Sequence, residues 1–203
     1  MINKEGQRED RIMVKKILVI NGSPVKNGNT ATLVNWFCEG AREKGAQVEV
    51  VNAAFLKYKS NGCISCRRCQ KIKEYKCVIP DEAQPVLEKM ARADVIVMAT
   101  PLYFYGPSAQ LKLIMDRMFS LYKWDNKADT METPLKGKTF ALIASAFEDV
   151  GLDSLEKPFA ITADYSGMKF ESLVVANAGE SGEVEKITGI RQKAVEFGKK
   201  AGK

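Results

Sequence analysis

No histidine occurs among the 203 residues. That absence removes Ser-His-Asp and Cys-His nucleophilic catalysis, and His-ligated zinc and haem iron with them. An enzyme built on this chain must borrow a cofactor's chemistry or work with Lys, Tyr, Cys and carboxylates. Long apolar runs are lacking too. None approaches the ~20 residues that span a bilayer, so the chain reads as a soluble protein with no membrane partner. Met1 to Asp10 is polar and has no signal-peptide core, which argues against export. Residues 1–14 read as a flexible N-terminal arm. The five cysteines are therefore expected in a reducing cytoplasm, where metal and redox roles outrank structural disulfides. No internal repeat is visible.

What is present centres on one stretch, Asn21-Gly22-Ser23-Pro24-Val25-Lys26-Asn27-Gly28-Asn29-Thr30. Before it, Lys15 to Ile20 is almost wholly apolar, as in a strand buried on both faces of a parallel sheet. After it, Leu33, Val34, Phe37 and Ala41 recur at helical spacing. A strand, a loop of small polar residues and a helix start make an anion site, because the first turn's unpaired N–H groups and the dipole point into the loop. The loop lacks the Gly-Lys-Ser/Thr of a triphosphate-binding loop and the G-x-G-x-x-G of a dinucleotide fingerprint. Its hydroxyls and its amide suit a single phosphate monoester.

The rest of the chain alternates. Gln47–Val51 reads as a peripheral strand, and a helix opens at Asp81 or Glu82. Asp94–Ala99 reads as a central strand. A helix is expected from Ser108 to about Tyr122, and a polar connection over 123–136. Lys138–Ala144 reads as a fourth strand, then a helix near Leu152–Tyr165, a fifth strand at Phe170–Val175 and a last helix over Glu183–Lys200. The expected fold is α/β: a single domain over 15–203 with a doubly wound, five-stranded parallel sheet of order 2-1-3-4-5. An irregular cysteine-rich insertion, 57–80, follows the second strand. In such a sheet the ligand lies at the carboxyl ends of the strands where the order reverses. That brings the Ser145–Gly151 loop to the crevice and sets Asn21–Thr30 beside Pro101–Pro107, which holds three aromatics between two prolines. A flat, electron-poor ring carrying one phosphate satisfies both loops, which points to FMN.

Charge is concentrated. Between Lys57 and Cys77 lie seven cationic side chains and one acid, so this segment's excess equals the formal +6 of the whole chain. Anionic partners are expected, but no nucleic-acid module is recognisable and no nucleic-acid partner is expected. Within the segment, Cys63-x2-Cys66-x2-Cys69-x7-Cys77 is spaced to converge. The spacing admits a 4Fe–4S cluster, suits zinc less well because three thiols share one tight turn, and is also compatible with free or disulfide-linked thiols. Cys38, mid-helix, reads as core.

Three carriers in this order, Gly22-Ser23-Pro24…Gly28-Asn29-Thr30, the four cysteines, and Thr100-Pro101-Leu102-Tyr103…Leu111-Lys112…Asp116-Arg117, resemble the NADPH-dependent FMN reductase branch of the flavodoxin-like superfamily. Within it they resemble the iron–sulfur flavoprotein subgroup. The resemblance covers about residues 15–120. It implies that Ser23, Lys26, Asn29, Thr30 and the Ala31 N–H hold the phosphate of FMN. It implies that Pro101, Leu102, Tyr103 and Phe104 carry the isoalloxazine, and that Ser145 and Ala146 line its far end. It further implies a cytoplasmic homodimer or homotetramer that takes electrons from NAD(P)H or a ferredoxin-type donor. They would pass to a quinone, a nitro compound, a flavin or a bound cluster. No catalytic acid or base is assigned, since the flavin carries the chemistry. A flavodoxin-like electron carrier and a thiol-based redox sensor are the alternatives.

Overall fold

A computed structural model describes residues 14–125 and 127–203; the expected arm, residues 1–14, lies outside these apart from Val14. Eight strands form: β1 Lys16–Asn21, β2 Gln47–Asn52, β3 Val95–Tyr103, β4 Gly106–Pro107, β5 Lys123–Asp125, β6 Thr130–Glu132, β7 Thr139–Ser145 and β8 Lys169–Val175. Five α-helices accompany them: α1 Asn29–Glu43, α2 Ala83–Arg92, α3 Ala109–Met115, α4 Leu152–Tyr165 and α5 Ile190–Ala201. The main sheet is ordered β2-β1-β3-β7-β8, all parallel, and β4 is attached antiparallel to the end of β3.

The sheet is buried on both faces, and period-two alternation divides its side chains between two cores. Leu18, Ile20, Met98 and Leu142 face α2, α3 and α4, together with Leu87, Ile114 and Phe159. Ile17, Val19, Val97 and Ile143 face α1 and α5, together with Leu33 and Phe37. The Phe37 and Phe197 rings meet edge-on at 5.5 Å and lock α5 against α1. β2 is the outer strand on one side, and Val50 is left exposed although the alternation places it on the same face as the half-buried Val48.

Four expectations need correction. The sheet has six strands rather than five, because β3 runs past Thr100 to Tyr103 and folds back as β4. Pro101 is tolerated there because pairing with β1 stops at Ala99, leaving only β7 alongside, at Ser145; a proline without an N–H fits a strand whose edge is open. The 123–136 connection contains the β5–β6 hairpin, in which Trp124 stacks on Phe119 at 5.0 Å. The helix after Ser108 changes at Asp116 into a 3-10 turn, Asp116–Leu121. The last helix starts at Ile190, not Glu183, because Gly189 at φ +75° separates it from a 3-10 turn over Glu183–Lys186. Among the described residues, no helix is long and apolar enough to cross a membrane.

Candidate functional site: a phosphate-type turn and an aromatic hairpin

At the carboxyl ends of β1, β3 and β7 lies a cleft of about 260 Å³. Its floor is the β1–α1 turn. The Gly22 amide donates to Ala99 O at 2.8 Å, and the Ser108 hydroxyl donates to Gly22 O at 2.7 Å. Any residue but glycine would fail at position 22, since a Cβ would stand 2.5 Å from Leu111 Cβ. The Asn21 side chain accepts from the Ser23 amide at 3.0 Å, and the Ser23 hydroxyl accepts from the Val25 amide at 3.2 Å. The turn is thus fixed before any ligand arrives.

Beyond it, α1 begins without a side-chain cap and without an acid in its first turn. The Asn29, Thr30 and Ala31 amides have no carbonyl one turn earlier to receive them, and that leaves room for an external anion. The Thr30 and Ser145 hydroxyls meet at 2.8 Å across the cleft and tie α1 to the end of β7.

The opposite wall is the β3–β4 hairpin. Its two-residue turn, Phe104-Tyr105, has both residues left-handed, at φ 45° and 64°. A tight hairpin of this kind normally uses Asn-Gly, and aromatic residues there are strained. Phe104 is fully exposed. The Thr100 hydroxyl accepts from the Ser108 amide at 2.9 Å and holds the base of the hairpin. A second cleft of about 310 Å³ adjoins the first and shares Leu102 and Phe147 with it; Phe104, Tyr105, Glu148 and Val150 complete it.

Of the residues singled out from sequence, Ser23, Asn29, Thr30, Pro101, Leu102, Tyr103 and Ser145 line the first cleft together. Four do not. Lys26 sits over the Phe55 ring at 5.1 Å. Ala31 is buried within α1. Phe104 lines the adjoining cleft. Ala146 is buried, its amide donating to Val175 O and its carbonyl accepting from the Ala178 amide. Asn29 also departs from expectation: its side-chain amide is saturated by the 178–184 segment and is not free to hold a phosphate. Phe147 lines the cleft from the 145–151 loop that the sequence places at the crevice; sequence reasoning missed Ala178, Gly179 and Ser181, which line it from the loop after β8. The only signal for them was their place after a strand that ends at the crevice.

Cys63, Cys66, Cys69 and Cys77 line a separate small cavity, walled also by Arg117 and Phe119. All four are free; Cys63 and Cys66 are exposed, while Cys69 and Cys77 are buried. Burial raises the Cys69 thiol pKa against a smaller opposing effect of the Gln70 amide beside it. At Cys66, hydrogen bonding by Arg68, first through its backbone and then its side chain, lowers the pKa. Arg117 is fully buried, donating from Nη1 to Asp81 at 2.8 Å and from Nη2 to Ile79 O at 3.3 Å. Its Nε has no partner. A cationic wall suits thiolate ligands, yet among the described residues no three of these groups come together at metal-holding distance. In this conformation the residues do not fit a four-thiolate cluster.

Comparison with known proteins accords with the cleft. A model of the NADPH-dependent FMN reductase family matches residues 15–176. An iron-sulfur flavoprotein of Methanocaldococcus jannaschii is 41% identical over 102 residues, which is 50% of this chain and 51% of that protein. One from Methanosarcina thermophila is 35% identical over 104 residues, 50% of this chain and 51% of that protein. The chain thus spans about half the length of these curated relatives. In fold it is similar to an NAD(P)H:quinone oxidoreductase from Methanothermobacter marburgensis, with TM-score 0.67 and 15% identity over 94% of this chain and 98% of that one. With the family model spanning most of the residues that build both walls of the cleft, the chain belongs to the NADPH-dependent FMN reductase family.

Proposed function

We propose that the chain is a cytoplasmic FMN-dependent oxidoreductase. It would accept electrons from NAD(P)H or a ferredoxin-type donor and deliver them to a small acceptor such as a quinone, a nitro compound or a flavin. The observation that carries this reading is the uncapped amino end of α1 in the same cleft as the Pro101–Tyr103 edge. FMN, when bound, supplies the hydride and electron chemistry. The residues bind and orient it. The first-turn amides of α1, with the Ser23 and Thr30 hydroxyls, receive the phosphate dianion. The Pro101–Tyr103 backbone and Leu102 support the ring. Phe147, Phe104 and Tyr105 line the adjoining cleft, where they keep water from the ring's edge and leave space for an acceptor. No side chain is needed as acid or base, which accords with a chain that has no histidine.

The exposed Tyr103, Phe104 and Tyr105 give a homodimer or homotetramer a surface to cover beside the cleft. The test of function is direct. Protein incubated with FMN and desalted retains yellow colour, and rapid mixing with NADPH bleaches it; retained colour without bleaching would favour an electron carrier. Protein that elutes colourless refutes the reading.

A second reading concerns the cysteine cavity. Relatives are named iron-sulfur flavoproteins, and a 4Fe–4S cluster here would draw on Cys63, Cys66, Cys69 and Cys77, which line one cavity and would have to gather closer than they stand. Iron and acid-labile sulfide in near-equal amounts from anaerobic protein would support it. Flavin bands alone would dismiss it.

A further inference from the structure

The loop after β8 does more than lead into α5. Asn29, at the first position of α1, holds it through four hydrogen bonds that span the chain. Its Nδ2 donates to Ala178 O at 2.7 Å and to Glu180 O at 2.8 Å. Its Oδ1 accepts from the Gly182 amide at 3.0 Å and the Val184 amide at 3.3 Å. Two carbonyls face the nitrogen and two amides face the oxygen, so only one orientation of the side-chain amide satisfies the site. Neither Asp nor Ser offers the same set. Glu183 closes the loop on itself by accepting from the Gly179 and Glu180 amides, both at 2.9 Å. The amides of Ala178, Gly179, Glu180, Gly182, Glu183 and Val184 are therefore spent on shape.

That shape is placed against the cleft. Ala178, Gly179 and Ser181 line it beside Thr30 and Ser145. The Phe147 ring rests on Gly179 so closely that a Cβ there would lie 1.9 Å from Phe147 Cδ2. Phe147 lines both the first cleft and its neighbour. One continuous chain of contacts thus runs from the amino end of α1, through the loop, to the aromatic that borders the second cleft.

We propose that Asn29 is a positioning residue, not a phosphate ligand. It staples residues 178–184 over the amino end of α1 as a fourth wall of the flavin site, and the wall fixes the Phe147 ring. This rests on the FMN reading above. The wall lines the cleft beside Thr30 and Ser145 and reaches the Phe147 ring, so loosening it is expected to weaken FMN and riboflavin alike, whereas a phosphate contact would serve FMN alone.

The test is Asn29→Ala in the full chain, with two readouts. Amide hydrogen exchange at Gly182 and Val184 in the flavin-free protein is expected to rise about tenfold or more. The dissociation constants of FMN and riboflavin are expected to rise by the same factor, roughly tenfold, for the loss of hydrogen bonds of ordinary strength. A loss confined to FMN, with exchange unchanged, overturns the proposal and makes Asn29 a phosphate ligand. Faster exchange with both affinities unchanged overturns the wall. If Asn29→Ala does not fold, Glu183→Ala removes the acceptor of the Gly179 and Glu180 amides and loosens the same segment from its other end, and the same paired readouts decide. Wild-type protein that binds neither flavin refutes the FMN reading and the wall with it, while exchange at Gly182 and Val184 still reports the staple.

Discussion

Replacing Arg117 with Met should cost the fold more than any surface change could. The Arg117 and Asp81 side chains are 0% and 1% exposed and meet at 2.8 Å. Without the guanidinium, the Asp81 carboxylate stays inside with only the Lys59 and Ala83 amides as donors, at 3.0 and 3.2 Å. Breaking a buried pair by removing one partner costs about 3–5 kcal/mol. For a chain of this size each kcal/mol moves the melting temperature by roughly 2–4 °C, so Arg117→Met should melt about 6–20 °C below wild type. Replacing both partners, Asp81→Asn with Arg117→Met, should recover much of the loss, because no uncompensated charge is left behind. Acid should act on the same contact. Burial alone would raise the Asp81 pKa, but the Arg117 hydrogen bond and the two amides outweigh it and hold the carboxyl below its usual range. A group depressed in the folded state stabilises it above the unfolded pKa, and that stability drains away as pH falls toward the folded value. Wild type should therefore lose stability below the ordinary carboxylate range, and the double variant should lose less. Calorimetry on wild type and the two variants checks this. An Arg117→Met protein melting within 2 °C of wild type would refute the reasoning.

Three further outcomes follow from other contacts. Burial, only partly opposed by Arg42, pushes the Cys38 thiol up to about 11. Iodoacetamide at pH 8 should spare Cys38 until the chain is unfolded, and this thiol's contribution to stability should decline as pH rises from about 9 toward 11, measurable by peptide mass and by urea midpoint. Ser108→Ala removes both the bond to Gly22 O and the cap on the Leu111 amide at 3.3 Å; urea denaturation should show a loss of about 1–2 kcal/mol. Saturating the flavin-free protein with FMN at about 100 times its dissociation constant should add about 2.7 kcal/mol, seen as a higher melting temperature that climbs with FMN concentration.

Much of the architecture was legible because its signals are local. The continuous apolar runs at 17–20 and 95–99 could only be strands covered on both faces, and the alternating 47–51 run could only be peripheral. The strand–turn–helix at the floor of the cleft was legible for the same reason: a buried strand, a small polar turn and an apolar helix stripe stand next to one another in sequence. The β5–β6 hairpin left no such trace. Three-residue strands with exposed charges look like any polar connection, and the Trp124–Phe119 stack that steadies them joins segments whose nearness depends on the finished fold.

The limit is sharpest where a residue's type suggests one role and its partners impose another. Asn29 stands where a phosphate ligand is expected, yet its partners lie 149–155 residues away, and nothing at position 29 announces them. Phe104 and Tyr105 show the converse. Three aromatics between two prolines mark the hairpin as unusual, but not that both turn residues are left-handed. That conformation costs of order 1–3 kcal/mol per residue for side chains with a Cβ, and the fully exposed Phe104 ring returns none of it through burial within the chain. Asn-Gly would close the same turn without the strain. An aromatic tip kept at such a cost beside the cleft is not explained by anything it does for folding within this chain.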